Sequence, residues 1–294
     1  LSVGSAPGAA IPLGSLRLHL VPDASFALDG GAMFGVVPKT LWNRVKRCDE
    51  QNRIPMATNC LLVESGRELV LVDTGLGERL SAAERELFAV ATGGPRLPDR
   101  IRAAGYAPED VTHVLLTHLH FDHCGWNCRQ GTAGLEPTFP RARYWLARGE
   151  VEHARRRRER DAPSYRPENW EPLFAAGVVE LFDDEATPAA GVRAVRAPGH
   201  NRDMCIVLLD GGGEGARGVF LADLVPQAVH VPFPWIMSYD LYPVETMATK
   251  RRWIPELARG DWLCIFEHDT DQPLGRIVEE PPGRFRAVPA FAGD

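Results

Sequence analysis

The chain has 294 residues, 45% of them hydrophobic and 24% charged, with a net charge of −6. That apolar content is enough for a substantial core, and the length fits one layered α/β unit. The acidic balance gives no global positive field for nucleic acid, and no apolar run of about 18 residues is present to span a membrane.

Residues 1–14 are small and flexible in character and lack the charged n-region and apolar core of a signal peptide. Residues 15–294 are expected to form one domain. Residues 15–28 alternate through Leu16, Leu18 and Leu20 and predict a first strand. Gly30-Gly31-Ala32-Met33-Phe34-Gly35 reads as a glycine-rich loop with apolar tips. It has no lysine or threonine in P-loop spacing, so it is read as a rim loop with Phe34 toward substrate, not a phosphate cradle. Residues 59–63 and 69–72 predict a hairpin turning at Ser65-Gly66, and residues 81–90 and 98–104 predict two short helices.

Residues 113–117 predict a short buried strand. It runs into the most informative stretch of the chain, His118-Leu119-His120-Phe121-Asp122-His123. Imidazole nitrogens and carboxylate oxygens are the ligand set of zinc and other borderline or hard divalent metals. Packing four such groups unpaired would be costly in desolvation. A rigid strand end can aim them while leaving a metal open to substrate.

The six cysteines, at 48, 60, 124, 128, 205 and 264, form no secreted disulfide framework. A cytoplasmic protein is expected. Cys124 and Cys128 flank the motif but are read as packing thiols, because the His/Asp set already completes a ligand shell. Residues 148–160 predict a helix in which Arg155-Arg156-Arg157-Arg158 is balanced by Glu150, Glu152, Glu159 and Asp161, a solvated mixed-charge face.

The strand-then-ligand rhythm recurs three times. Residues 192–196 lead to Pro198-Gly199-His200, residues 218–222 to Asp223, and residues 262–266 to Glu267-His268. Ligands of α/β sheets gather beyond the carboxyl ends of strands. Residues 225–243, rich in Pro, Trp and Tyr, predict a substrate wall that includes Phe233 and Trp235. His19, His113, His153 and His230 are read as structural.

Asp73-Thr74-Gly75 after residues 69–72, Thr117-His118-x-His120-x-Asp122-His123, Pro198-Gly199-His200, Asp223 and His268 together resemble the metallo-β-lactamase-fold hydrolase superfamily. The likeness covers about residues 55–270 and is strongest to its branch of N-acyl homoserine lactonases and methyl parathion hydrolases. It implies a four-layer αββα sandwich. It implies His118, His120 and His200 on one metal, Asp122, His123 and His268 on a second, and Asp223 bridging both. Asp73 would orient a ligand histidine. Zinc is the default for such donors, and Mn, Fe or Co suit them too.

Two metals sharing Asp223 would activate a bridging hydroxide toward a lactone or ester carbonyl. No Ser or Cys nucleophile is needed, and no G-x-S-x-G elbow is present. Phosphotriesterase-like or thioester hydrolysis on the same core, and a non-catalytic metal-binding module, are the alternatives. The partner is then a small ester or lactone, and a homodimer is compatible. The sequence departs from the pattern where His200 is followed by Asn201-Arg202-Asp203-Met204. Lactonases of this branch carry a tyrosine three residues after the bridging aspartate, where this chain has Pro226. Tyr239 and Tyr242 are the next phenols, expected to join Asp122 and Asp223 in catalysis by donating to a developing oxyanion.

Overall fold

The computed structural model describes residues 10–156 and 158–291. The first half contains β1 (Ile11–Leu13), β2 (Leu16–Asp29), β3 (Arg53–Ser65), β4 (Glu68–Val72), β5 (His113–Leu115), β6 (Cys128–Gln130), β7 (Leu135–Pro137), β8 (Arg143–Ala147) and β9 (Val179–Phe182). The second contains β10 (Glu185–Ala189), β11 (Val192–Arg196), β12 (Cys205–Asp210), β13 (Arg217–Phe220), β14 (Leu263–Ile265), β15 (Leu274–Glu279) and β16 (Phe285–Pro289). Helices are α1 (Gly30–Phe34), α2 (Lys39–Trp42), α3 (Ala82–Leu87), α4 (Leu97–Ala103), α5 (Arg148–Arg156), α6 (Glu171–Ala175) and α7 (Pro243–Arg259).

Two seven-stranded sheets result, ordered β1-β2-β3-β4-β5-β8-β9 and β10-β11-β12-β13-β14-β15-β16, with β6 and β7 as a separate ribbon. Leu61, Val63, Val70 and Val72 of the first sheet share a core with Val207, Leu209, Val219 and Phe220 of the second. Leu62, Leu71 and Val114 instead join Leu97 and Ile101 of α4, Val151 of α5 and Leu173 of α6. Alternate side chains of one strand thus serve two cores, which is the signature of helix, sheet, sheet and helix layers.

Strand direction explains where the site forms. β4, β5 and β8 are parallel neighbours, so their C-terminal ends open on one edge. In the second sheet β13 and β14 are parallel, and β11 shares their direction because two antiparallel pairings separate it from β13. Asp73, His118–His123, His200, Asp223 and His268 all follow such ends.

The expected elements recur with small boundary shifts, apart from one change of type. The glycine-rich stretch is a short helix, α1, because the Asp29 carboxylate accepts the Ala32 N–H at 2.8 Å and starts a turn. Of the N-terminal segment expected to be flexible, residues 1–9 lie outside the described residues, and Ile11–Leu13 pairs antiparallel with β2. Arg155 of the arginine run pairs with Glu171; residue 157 lies outside the described residues. Among the described residues no helix is long and apolar enough to cross a membrane.

Candidate metal centre

Two loops meet at the edge of the first sheet. The Asp73-Thr74-Gly75 loop folds back on the chain leaving β5 so closely that a side-chain carbon at Gly77 would lie 2.4 Å from the Gly125 carbonyl oxygen. Asp73 itself has φ 54°, and Ala222, just before Asp223, has φ 44°. Non-glycine residues rarely adopt this region, and such strain gathers at functional sites.

Asp223 stands at the centre of the donor cluster. Its Oδ2 is 3.1 Å from His200 Nε2, 3.7 Å from His123 Nε2 and 3.9 Å from His118 Nε2, and its Oδ1 is 3.1 Å from His268 Nε2. Donor atoms of His118, His120, His200 and Asp223 lie within 4.8 Å of one another, and so do those of Asp122, His123 and His268. Both groups are buried.

The outer nitrogens of these rings have fixed partners. His123 Nδ1 lies 3.0 Å from Asp73 Oδ2, His200 Nδ1 lies 3.0 Å from Asp240 Oδ1, and His268 Nδ1 lies 2.7 Å from the Ala57 carbonyl oxygen. Asp73 is held by the Thr117 N–H at 2.7 Å and the Thr117 hydroxyl at 2.6 Å, and that hydroxyl oxygen lies 3.1 Å from His118 Nδ1. A neutral ring that donates through Nδ1 presents a lone pair at Nε2. With both rings neutral, His123 and His268 point two lone pairs at each other across 3.2 Å. His118 Nε2, His120 Nε2 and Asp223 Oδ1 are buried without a hydrogen-bond partner. Converging lone pairs and orphaned acceptors repel one another unless a cation lies among them, so the donor set fits divalent metal.

The electrostatics divide the rings: His118 and His120 are held neutral, while nearby carboxylates outweigh burial and push His123, His200 and His268 above the usual histidine range, so the pocket favours positive charge. Burial and the surrounding imidazoles push His118 and His120 well below the usual histidine range, which keeps both rings in the neutral, ligating form. Burial opposes ionisation of Asp223, yet His200, His268 and His123 hold its carboxyl well below the usual range.

Two acids escaped the sequence reading. Glu267 is fully buried, with Oε2 3.0 Å from His123 Nδ1, opposite Asp73. Burial raises its carboxyl to about 8. Its only sequence signal is its place beside His268 at a strand end. Asp240, the partner of His200, comes from an irregular segment with no motif spacing.

A cavity of about 400 Å³ opens onto His120, Asp122, His200, Asp223 and His268. Its apolar wall is Leu28, Met33, Met56, Phe88, Phe121, Met237 and Leu241, and Tyr239 lines it too. Another cavity of about 390 Å³ lies against Trp253 and Trp262 and touches none of these donors.

The residues expected to form a substrate wall lie away from this cavity. Phe34 is buried and stacks on Trp42 and His230, with ring centroids 5.2 and 4.7 Å away. Trp235 stands edge-on to Phe34, and Phe233 packs on Phe285. None of the three lines the cavity, because their large apolar area goes to the core. Tyr242 lies immediately before α7, outside the cavity lining, so only Tyr239 of the two phenols reaches it. Burial raises the Tyr239 hydroxyl to about 12, so it stays protonated at neutral pH.

The segment 230–235 is held by buried Lys250, which donates to the carbonyls of His230, Pro232 and Trp235. His230 donates to the Met33 carbonyl oxygen at 2.9 Å and is pushed down to about 4 by burial, a structural histidine. Of the six cysteines, all free, five are buried and Cys48 is partly exposed.

The family model described as the metallo-beta-lactamase superfamily matches residues 53–268. A probable metallo-hydrolase of Mycobacterium tuberculosis is 31% identical over 207 residues, 62% of this chain and 63% of that protein; the match spans just under two thirds of the relative's length. An N-acyl homoserine lactonase of Bacillus cereus is 29% identical over 234 residues, covering 76% of this chain and 86% of its own. Among solved structures, a probable metal-dependent hydrolase of Staphylococcus aureus superposes with a TM-score of 0.86 at 24% identity, over 96% of this chain and 100% of the other. A dizinc quorum-quenching lactonase in complex with a product gives 0.76 at 21% identity, over 97% and 98%. At these identities the structural likeness is one of fold.

Proposed function

The chain belongs to the metallo-beta-lactamase superfamily, and on that footing we propose that it is a metal-dependent hydrolase of lactones or related esters. His118, His120 and His200 would hold one divalent ion and Asp122, His123 and His268 a second, with Asp223 a donor to each. The observation that carries this reading is the convergence of the His123 and His268 Nε2 atoms, 3.2 Å apart, on the Asp223 carboxylate. Zinc is the proposed metal, since the donors are imidazoles and carboxylates and a neighbour of the same fold is a dizinc enzyme. Divalent ions in such a site acidify water toward neutrality and polarise a carbonyl.

The protein's own groups do the rest. Asp73 and Asp240 keep the Nδ1 protons of His123 and His200 in place, so those rings cannot turn or switch tautomer. Tyr239 would donate a hydrogen bond from its hydroxyl to the oxyanion that develops on the carbonyl oxygen. Asp122, which lines the cavity, would take the proton released by the attacking water and pass it to the leaving alkoxide. The apolar wall takes the acyl portion and excludes bulk water.

The test is a screen of metal-replete protein against lactones, esters, thioesters and phosphotriesters, with elemental analysis alongside. Two metal equivalents per chain and preferential lactone or ester turnover are expected. A plateau at one equivalent would remove the dinuclear assignment, and turnover confined to phosphotriesters would replace the substrate class.

A further inference from the structure

β5 and β8 run parallel and adjacent, with Leu115 opposite Trp145. The chains leaving them therefore start side by side. One makes His118-Leu119-His120. The other enters α5 at once, which sets Glu150, in the first turn of that helix, against the loop. Glu150 is only 1% exposed. Its carboxylate caps no group of its own helix. Its Oε1 instead accepts the Leu119 N–H at 2.9 Å and the Tyr165 hydroxyl at 3.0 Å.

Tyr165, also buried, meets the same loop twice more. Its backbone forms a β-bridge with His120, and its ring stands edge-on to the His120 imidazole, centroids 4.8 Å apart at 68°. One residue earlier, the Ser164 carbonyl accepts the Phe121 N–H at 2.9 Å. The motif loop is thus held by residues that are not themselves metal donors.

Resting on the metal-hydrolase reading, we propose that Glu150 and Tyr165 are positioning residues for His118 and His120. Leu119 lies between these two histidines: the carboxylate that takes its N–H fixes the His118–Leu119 peptide plane, and the Tyr165 bridge holds His120 on the other side. Without that oxygen the Leu119 N–H and the Tyr165 hydroxyl are both buried and unpaired. The loop then shifts to recover a partner and carries both imidazoles with it. Support of this indirect kind typically changes metal affinity roughly ten- to a hundred-fold.

The experiment loads parental protein, Glu150→Gln, Glu150→Leu and Tyr165→Phe with cobalt(II) alone. It reads the visible ligand-field bands, cobalt affinity by chelator competition, and the melting temperature. Glu150→Leu should loosen one of the two ions by roughly ten- to a hundred-fold and move its bands. Glu150→Gln keeps an oxygen that accepts both hydrogen bonds and should restore affinity and bands. Tyr165→Phe should move the same bands by a smaller amount. If Glu150→Leu fails to fold, Tyr165→Phe decides: bands and affinity equal to the parental protein's overturn the proposal. A lowered melting temperature with unchanged bands also overturns it, since that is a purely structural role. Parental protein that takes up no cobalt brings down the metal reading and this proposal together; parental uptake of two ions with indifferent variants brings down this proposal alone.

Discussion

The floor and the wall of the cavity are built on different physics. On the floor, none of His118, His120, Asp122, His123, His200, Asp223 and His268 is more than 8% exposed, and the outer nitrogens of His123, His200 and His268 are tied to fixed acceptors. Moving any of them strands a buried lone pair or charge. The wall of Leu28, Met33, Met56, Phe88, Phe121, Met237 and Leu241 contributes apolar area with little direction, and its three methionines can repack around different shapes. On the proposed reading, reaction type and substrate preference are therefore separable: the floor would govern turnover of every substrate, and the wall which one binds.

Asp223→Ala attacks the floor at its centre and should have the largest effect. Activity on all substrates should fall by roughly 1,000-fold or more, with metal content below two equivalents. Parental kinetics in this variant would erase the distinction between floor and wall.

Tyr239→Phe tests a residue at the boundary. Loss of its hydroxyl should lower kcat by roughly ten- to a thousand-fold while metal content stays parental. A parental kcat would assign Tyr239 to the wall and leave polarisation to the floor alone.

Phe88→Ala and Phe121→Ala sharpen the comparison from the other side. The two rings stack with centroids 5.2 Å apart. Each truncation should lower kcat/KM roughly tenfold for long apolar acyl groups, mostly through KM, and leave short acyl substrates nearly unaffected. An equal loss for long and short chains would show that the wall shapes the floor.

The smallest effect is expected at the thiols nearest the motif. Burial holds Cys124 well above the usual thiol range and Cys128 at about 12, so neither supplies a thiolate. Cys124→Ser and Cys128→Ser should keep activity within about twofold and metal content unchanged. Loss of metal in either variant would place a cysteine on the floor.

Most of the floor was legible because its spacing is local or its rhythm regular. Four donors fall within six residues, and His200, Asp223 and His268 each follow an apolar run whose strand direction sends them to one edge. The helix–sheet–sheet–helix layering followed from the same likeness. Glu150 and Asp240 were not legible, since they meet their partners across 31 and 40 residues of chain, and only the pairing of strands brings them together. The wall misled for another reason. Phe34, Phe233 and Trp235 were chosen for aromaticity near a ligand, but aromatic area is what a core recruits first. The cavity instead drew on Leu28 of β2 and Met56 of β3, whose inward side chains no local pattern marks as substrate-facing.

The partly exposed Cys48 has a practical consequence. The other five thiols are buried, and burial raises all of their pKa values, so a maleimide dye should attach once, at Cys48, without any native cysteine being replaced. The label would sit two residues from Lys46, whose ammonium lies 3.4 Å from the Asp269 carboxylate next to His268. A change in the dye's fluorescence on metal addition would report movement of that segment in the unmutated chain.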